Sequence, residues 1–183
     1  MSIDTLKSQI PDYAKDLKLN LSNIQSSTAL NERQVWGAIL ASALASGNSK
    51  VISAIAEDAS QHLSDEETKA AKSAAAIMAM NNIYYRSLHL LSNPEYGKMP
   101  ARLRMNVIAN PGADKLDFEL WSLAVSAING CGMCLESHER EVLNKGASKE
   151  AVQDALRIAA VVHAVSATLT GEDAMPEAQQ AAA

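Results

Sequence analysis

Residues 34–50 read QVWGAILASALASGNSK, and residues 119–135 read ELWSLAVSAINGCGMCL. Aligned with Trp36 over Trp121, 85 positions apart, both are runs of small apolar residues that close on a glycine-containing break. A second pair, LSDEETKAAKSAAAIM at 63–78 and ASKEAVQDALRIAAVV at 147–162, aligns at a separation of 84. Self-similarity at a nearly constant offset marks a duplicated unit. No stretch alternates apolar and polar residues long enough to argue for a strand, so the unit is helical. The expectation is an all-α fold, a single helical domain with an internal two-fold repeat whose copies span about 31–91 and 116–170, followed by a frayed tail at 171–183.

Local signals set the helix boundaries. Pro11 suits the first turn of a helix running toward Leu21, and Asn31 with Glu32 can open the next, which stops at Gly47. Asn48 can cap the following helix, Ser64 with Glu67 matches a capping box, and Ser148 can cap the last long helix. Two prolines and a glycine interrupt residues 92–100, and Pro111 with Gly112 interrupts 110–115. Around residues 74–80 Ala, Ile and Met occupy every face of the helix, so that segment is expected to be buried on all sides, in the core or between subunits.

Composition limits the function classes. The 183 residues suit one domain, given roughly 100–200 residues per domain. With 16 basic against 21 acidic residues and no Lys/Arg run, the chain has no footprint for nucleic acid or an anionic membrane. The N-terminus alternates charges with single apolar residues, unlike a secretory leader, and the longest strongly apolar stretch, 158–165, is far short of the ~20 residues that cross a bilayer. The reading is a soluble, cytoplasmic protein. In a reducing cytosol, two cysteines spaced Cys-x-x-Cys point to redox chemistry or metal binding before a structural staple.

Both cysteines lie in NGCGMCLESHER, residues 129–140. A helix starting at Cys131 places Cys131, Cys134 and His138 at i, i+3 and i+7, one stripe facing one pocket. The i, i+3 spacing at a helix start lets the sulfurs approach for a disulfide with little backbone movement. Thiol chemistry needs the thiolate, of which a free cysteine with pKa near ~8.5 supplies little at neutral pH. Unsatisfied N–H groups of the first turn favour a negative sulfur, more at Cys131 than at Cys134, and His138 one turn beyond Cys134 can accept its proton. Glu119 on the preceding helix is the candidate to orient that histidine, while Glu136, Glu139 and Glu141 belong on the solvated face. Two other readings fit the same residues: a zinc site of Cys131, Cys134, His138 and Glu119, although no second ligand pair exists, and a pair of simply buried cysteines. His163 reads as a satisfied core residue, and His62 and His89 as helix-end or surface residues. Trp36 and Trp121 read as packing residues, and Met78 and Met80 as core filler.

The combination of Glu119, Cys131-Gly-Met-Cys134 and His138 with the segments PDYAKDLKLNLS, AAAIMAMNN, LRMNVIANPG and FELWSLAVSAINGC resembles the alkyl hydroperoxidase D family of the carboxymuconolactone decarboxylase-like superfamily, from about residue 2 to 170. The resemblance implies a homotrimer that reduces alkyl hydroperoxides through a dithiol/disulfide cycle and re-reduces a peroxiredoxin, alkyl hydroperoxide reductase C. It implies electrons from dihydrolipoamide, carried on a lipoylated 2-oxoacid dehydrogenase acyltransferase and recharged by dihydrolipoamide dehydrogenase, with no tightly bound flavin, haem or metal. Position by position, Cys134 matches the peroxide-attacking cysteine that forms the sulfenic acid and a mixed disulfide with the peroxiredoxin. Cys131 matches the resolving thiol and proton donor, and His138 and Glu119 match the proton relay. Met133 departs from the family pattern, in which a histidine often stands between the cysteines. Two further readings remain beside it: a dithiol adaptor without peroxidase activity, and a non-catalytic zinc-binding or scaffold protein.

Overall fold

Ser2 and Thr5 form a reciprocal capping box that opens α1, Ile3–Gln9. The sequence reading missed this helix, because a threonine replaces the usual Glu or Gln of the box and the apolar positions are few. Ile3 and Leu6 nevertheless bury into the core, with Ile10 just beyond them. A computed structural model describes residues 2–176 of the chain. Pro11 caps a 3-10 turn, Asp12–Ala14, so the helix expected from Pro11 is divided and α2 begins at Lys15 and ends at Ser22.

The remaining boundaries follow the capping residues. α3, Glu32–Ser46, starts with Asn31 and Gln34 in a capping box and ends at Gly47, whose φ of 78° favours glycine. α4, Ser49–Ala59, is capped by Asn48, and α5, Asp65–Leu90, by the Ser64–Glu67 box. Two single-turn helices, α6 Glu95–Lys98 and α7 Asn106–Ala109, occupy the connection that the prolines and glycines interrupt. α8, Lys115–Ile128, α9, Gly132–Asn144, and α10, Lys149–Ala174, complete the fold. The two expected copies thus hold helices of 15, 11 and 26 residues and of 14, 13 and 26 residues, in the same order. No strand occurs among the described residues. α10 runs four residues past the boundary expected at 170, and positions 177–183 of the expected tail lie outside the described residues.

The centre of the molecule is the packing of α3 on α8 and α10, with α5 against α3 and α8. All-round burial falls on α3 from Gln34 to Ala43 and, Glu119 apart, on α8 from Asp117 to Ser126. Within one chain, residues 74–80 are not buried on all sides, so the core alternative of that expectation does not hold. There Ala74, Ala75 and Met78 are buried, while Ala76 and Ala79 face outward, because the helices of the same chain cover only one side of α5. Gly37 explains how closely α3 approaches α8: a Cβ at that position would lie 2.1 Å from Trp121 Cε2. Trp121 is fully buried, and its Nε1 donates to the Gln34 carbonyl at 3.2 Å. α10 is long and apolar enough to cross a membrane by length and composition, yet half of its most apolar window is buried, as in the core helix of a folded domain.

Candidate active site

The cysteine segment is positioned from three helices. α8 ends at Asn129, Gly130 turns the chain with φ 65°, and Cys131 becomes the N-cap of α9. α5 braces this turn from the side. Asn82 Nδ2 donates to Ser126 Oγ at 2.9 Å, Asn82 Oδ1 accepts from Asn129 Nδ2 at 2.9 Å, and the Arg86 guanidinium donates to the Asn129 carbonyl. The Cys131 N–H donates to the Ser126 carbonyl at 3.1 Å, closing the junction.

Cys131 and Cys134 form a disulfide, with a Cα–Cα separation of 5.3 Å. As the N-cap, Cys131 offers its sulfur to the backbone N–H of Cys134 at 3.3 Å. The two sulfurs have different access. Cys131 is fully enclosed, whereas Cys134 keeps 7% exposure and lines a cavity of about 520 Å³.

His138 and Glu119 stand together on the same cavity wall, both largely buried, with Nδ1 2.6 Å from Glu119 Oε2. When the carboxylate accepts from Nδ1–H, Nε2 of the neutral ring carries the lone pair that can take a proton. That nitrogen lies 3.2 Å from Met78 Sδ. Met78 is buried, as core filler should be, but its sulfur also meets the imidazole at Nε2. Cys134, His138 and Glu119 are thus gathered as the spacing predicts, with Cys131 behind Cys134.

Several lining residues were not anticipated. Tyr85 and Asn81 come from α5, Met105 and Ile108 from the α7 region, and Ser137 and Glu141 from α9. The methionines and Ile108 make much of the wall apolar, which suits an alkyl group, while Asn81, Ser137 and the His138–Glu119 pair supply polarity. Met133, 43% exposed, belongs to this lining. Glu136 and Glu139 are solvated as expected, but Glu141 is a correction: it sits half-exposed on the cavity wall, 4.0 Å from Lys145 Nζ, because it lies one turn beyond His138 on the same stripe. With Cys131 and Cys134 joined in a disulfide, no group of three or more His, Cys, Asp or Glu among the described residues is arranged to hold a metal ion.

Two positions before Glu119 on α8, Asp117 anchors a charged cluster that the sequence reading missed. Asp117, fully buried, accepts from Gln34 Nε2 at 2.8 Å and from Arg33 Nε at 2.5 Å. Burial pushes its carboxyl above the usual range, and the bonds from Gln34 and Arg33 pull it partly back. A signal was present, since Gln34 is the residue that the repeat alignment sets against Glu119. The histidines outside the site divide. His62 stacks on Trp36 with ring centroids 4.4 Å apart, and His89 is exposed at the end of α5. His163 corrects the core reading: it is exposed, because Val162, Val165 and Ser166 take the inward face of α10.

Comparison with known proteins places this geometry in a context. A family model described as the carboxymuconolactone decarboxylase family matches residues 94–177. A curated relative from Rhodospirillum centenum, named alkyl hydroperoxide reductase AhpD, is 58% identical over 175 residues, which is 96% of this chain and 94% of the relative. Proteins of the same name from Maricaulis maris and Streptomyces griseus are 58% and 55% identical, over 94% and 97% of this chain and 99% and 100% of their own lengths.

Proposed function

This chain belongs to the alkyl hydroperoxide reductase AhpD family of the carboxymuconolactone decarboxylase-like superfamily, and from that premise we propose that it is a thiol peroxidase reducing alkyl hydroperoxides at Cys134. The observation that carries the reading is the shared cavity: Cys134, His138 and Glu119 line one partly apolar chamber, while Cys131 is sealed behind Cys134.

The proposed cycle begins with both cysteines reduced. His138 Nε2, its ring held by Glu119 through Nδ1, takes the Cys134 proton. The thiolate attacks the distal oxygen of the hydroperoxide, a sulfur–oxygen bond forms and the O–O bond breaks. The proton held on His138 passes to the departing alkoxide, which leaves as alcohol. The Cys131 thiol then attacks the Cys134 sulfenic acid, its proton leaves with the oxygen as water, and the disulfide closes. An external dithiol restores both thiols by exchange.

Exchange has a preferred direction on this geometry. An incoming thiolate reaches Cys134 through the cavity, and the departing Cys131 thiolate is received by the Cys134 N–H, so the enclosed sulfur is the leaving group. We propose dihydrolipoamide on a lipoylated 2-oxoacid dehydrogenase acyltransferase as the donor, recharged by dihydrolipoamide dehydrogenase. The peroxiredoxin alkyl hydroperoxide reductase C is the proposed recipient through a mixed disulfide at Cys134. A cytoplasmic homotrimer is the proposed assembly.

The test is a free-thiol and intact-mass assay on reduced protein before and after one equivalent of an alkyl hydroperoxide. Loss of both thiols with two hydrogens is expected. Unchanged thiols, with rapid exchange against an oxidised peroxiredoxin, would replace the peroxidase by a dithiol adaptor.

A further inference from the structure

Asn81 follows Met78 by three residues on α5 and lines the same cavity as Cys134 and His138. It is 5% exposed, and its Oδ1 is buried without a hydrogen-bond partner. Buried amide oxygens are paired in the great majority of folded proteins, so an unpaired one on a cavity wall requires a reason. Its neighbour Asn82 uses both ends of its carboxamide to brace the turn before Cys131. Of two adjacent carboxamides, then, one is committed to the fold and the other keeps a buried oxygen without a partner on the wall of the cavity that Cys134 also lines.

We infer that Asn81 seats the hydroperoxide group, a role that rests on the peroxidase reading of this cavity. A hydroperoxide presents one O–H donor on its distal oxygen and an acceptor on its proximal oxygen. A carboxamide matches both, with Oδ1 accepting the O–H and Nδ2 donating to the proximal oxygen. The match improves as the reaction proceeds. When Cys134 sulfur bonds to the distal oxygen, the O–O electron pair moves to the proximal oxygen, which carries alkoxide charge until the proton on His138 reaches it. A donor at that oxygen stabilises the charge in the transition state more than the neutral ground state.

Two rates measured on the reduced full-length protein test this. One is the loss of Cys134 thiol with tert-butyl hydroperoxide. The other is its alkylation by iodoacetamide, which needs the thiolate but no peroxide-seating group. Asn81→Leu is expected to slow the peroxide reaction by roughly 10- to 100-fold, the scale of a lost transition-state donor, and to change alkylation less than about twofold. Asn81→Ala, which cannot overpack, decides the same comparison should leucine disturb folding. Equal slowing of both rates, or a peroxide rate within about twofold of wild type, overturns the assignment of Asn81 alone. A wild-type protein that alkylates normally but ignores peroxide overturns the peroxidase reading and this assignment with it.

Discussion

The backbone N–H of Cys134 donates to the sulfur of Cys131 at 3.3 Å, so the turn that brings the two sulfurs together also gives one of them a donor. The favoured sulfur is the enclosed one, as expected of a helix N-cap. In the proposed cycle the accessible sulfur relies instead on His138. This division of labour makes the two cysteines distinguishable by experiment.

Cys131→Ser should retain the first chemical step and lose the second. On addition of hydroperoxide it should accumulate a sulfenic acid at Cys134, detected as a dimedone adduct by mass spectrometry. With an oxidised peroxiredoxin it should trap a mixed disulfide. Cys134→Ser should do neither; adduct formation on Cys131 in that variant would reverse the assignment.

Glu119→Gln keeps a hydrogen-bonding side chain beside His138 Nδ1 and removes the charge that steadies the ring. Peroxide-driven thiol loss at pH 7 should fall by roughly 10²-fold, the low end for general acid–base assistance. Much of the loss should be recovered near pH 9, where a cysteine ionises without help. A deficit independent of pH would mean that Glu119 shapes the cavity without serving the proton transfer.

Asp117 gives a pH signature in stability. Its carboxyl titrates above the ordinary 3.8 because of burial, against the opposing bonds from Gln34 and Arg33. A carboxyl whose folded pKa is raised contributes its stabilisation below the unfolded value and loses it as pH rises through the folded value. Asp117→Asn keeps an acceptor for Gln34 and cannot ionise. The melting temperature of wild type minus that of Asp117→Asn should therefore decrease from pH 4 toward neutrality. A constant difference across that range would show that burial does not govern Asp117.

Gly37→Ala should destabilise the fold by about 1–3 kcal/mol, the usual cost of overpacking. That corresponds to about 2–4 °C in Tm per kcal/mol for a chain of this size. The added carbon falls on the Trp121 ring, so Trp121→Leu should recover part of the loss in the double variant. Strictly additive losses would place the strain elsewhere.

Much of the helix plan was legible because capping residues are local. Asn31, Asn48, Ser64 and Ser148 each cap the helix that their position suggests. The spacing of Cys131, Cys134 and His138 likewise survives folding, because one helix carries it. What escaped was tertiary. Asp117 reads as an ordinary first-turn acid until α3 brings Arg33 and Gln34 to it. Asn81 and Asn82 are two amides in an apolar run, and only the packing of α5 on α8 and α9 separates a brace from an open carboxamide. His163 misled because the run around it is apolar by composition, whereas exposure follows angle around α10.

Gly37 has a consequence for the half of the chain that contains no thiol. The ring it admits belongs to Trp121, two positions from Glu119 on α8. Glu119 in turn sets the azimuth of the His138 imidazole. A methyl group added on α3 would act as a wedge against the Trp121 ring and so against α8, the helix that carries Glu119. The thiol-free half is thus the anvil against which the reactive half is gauged, and the gauge is one missing carbon.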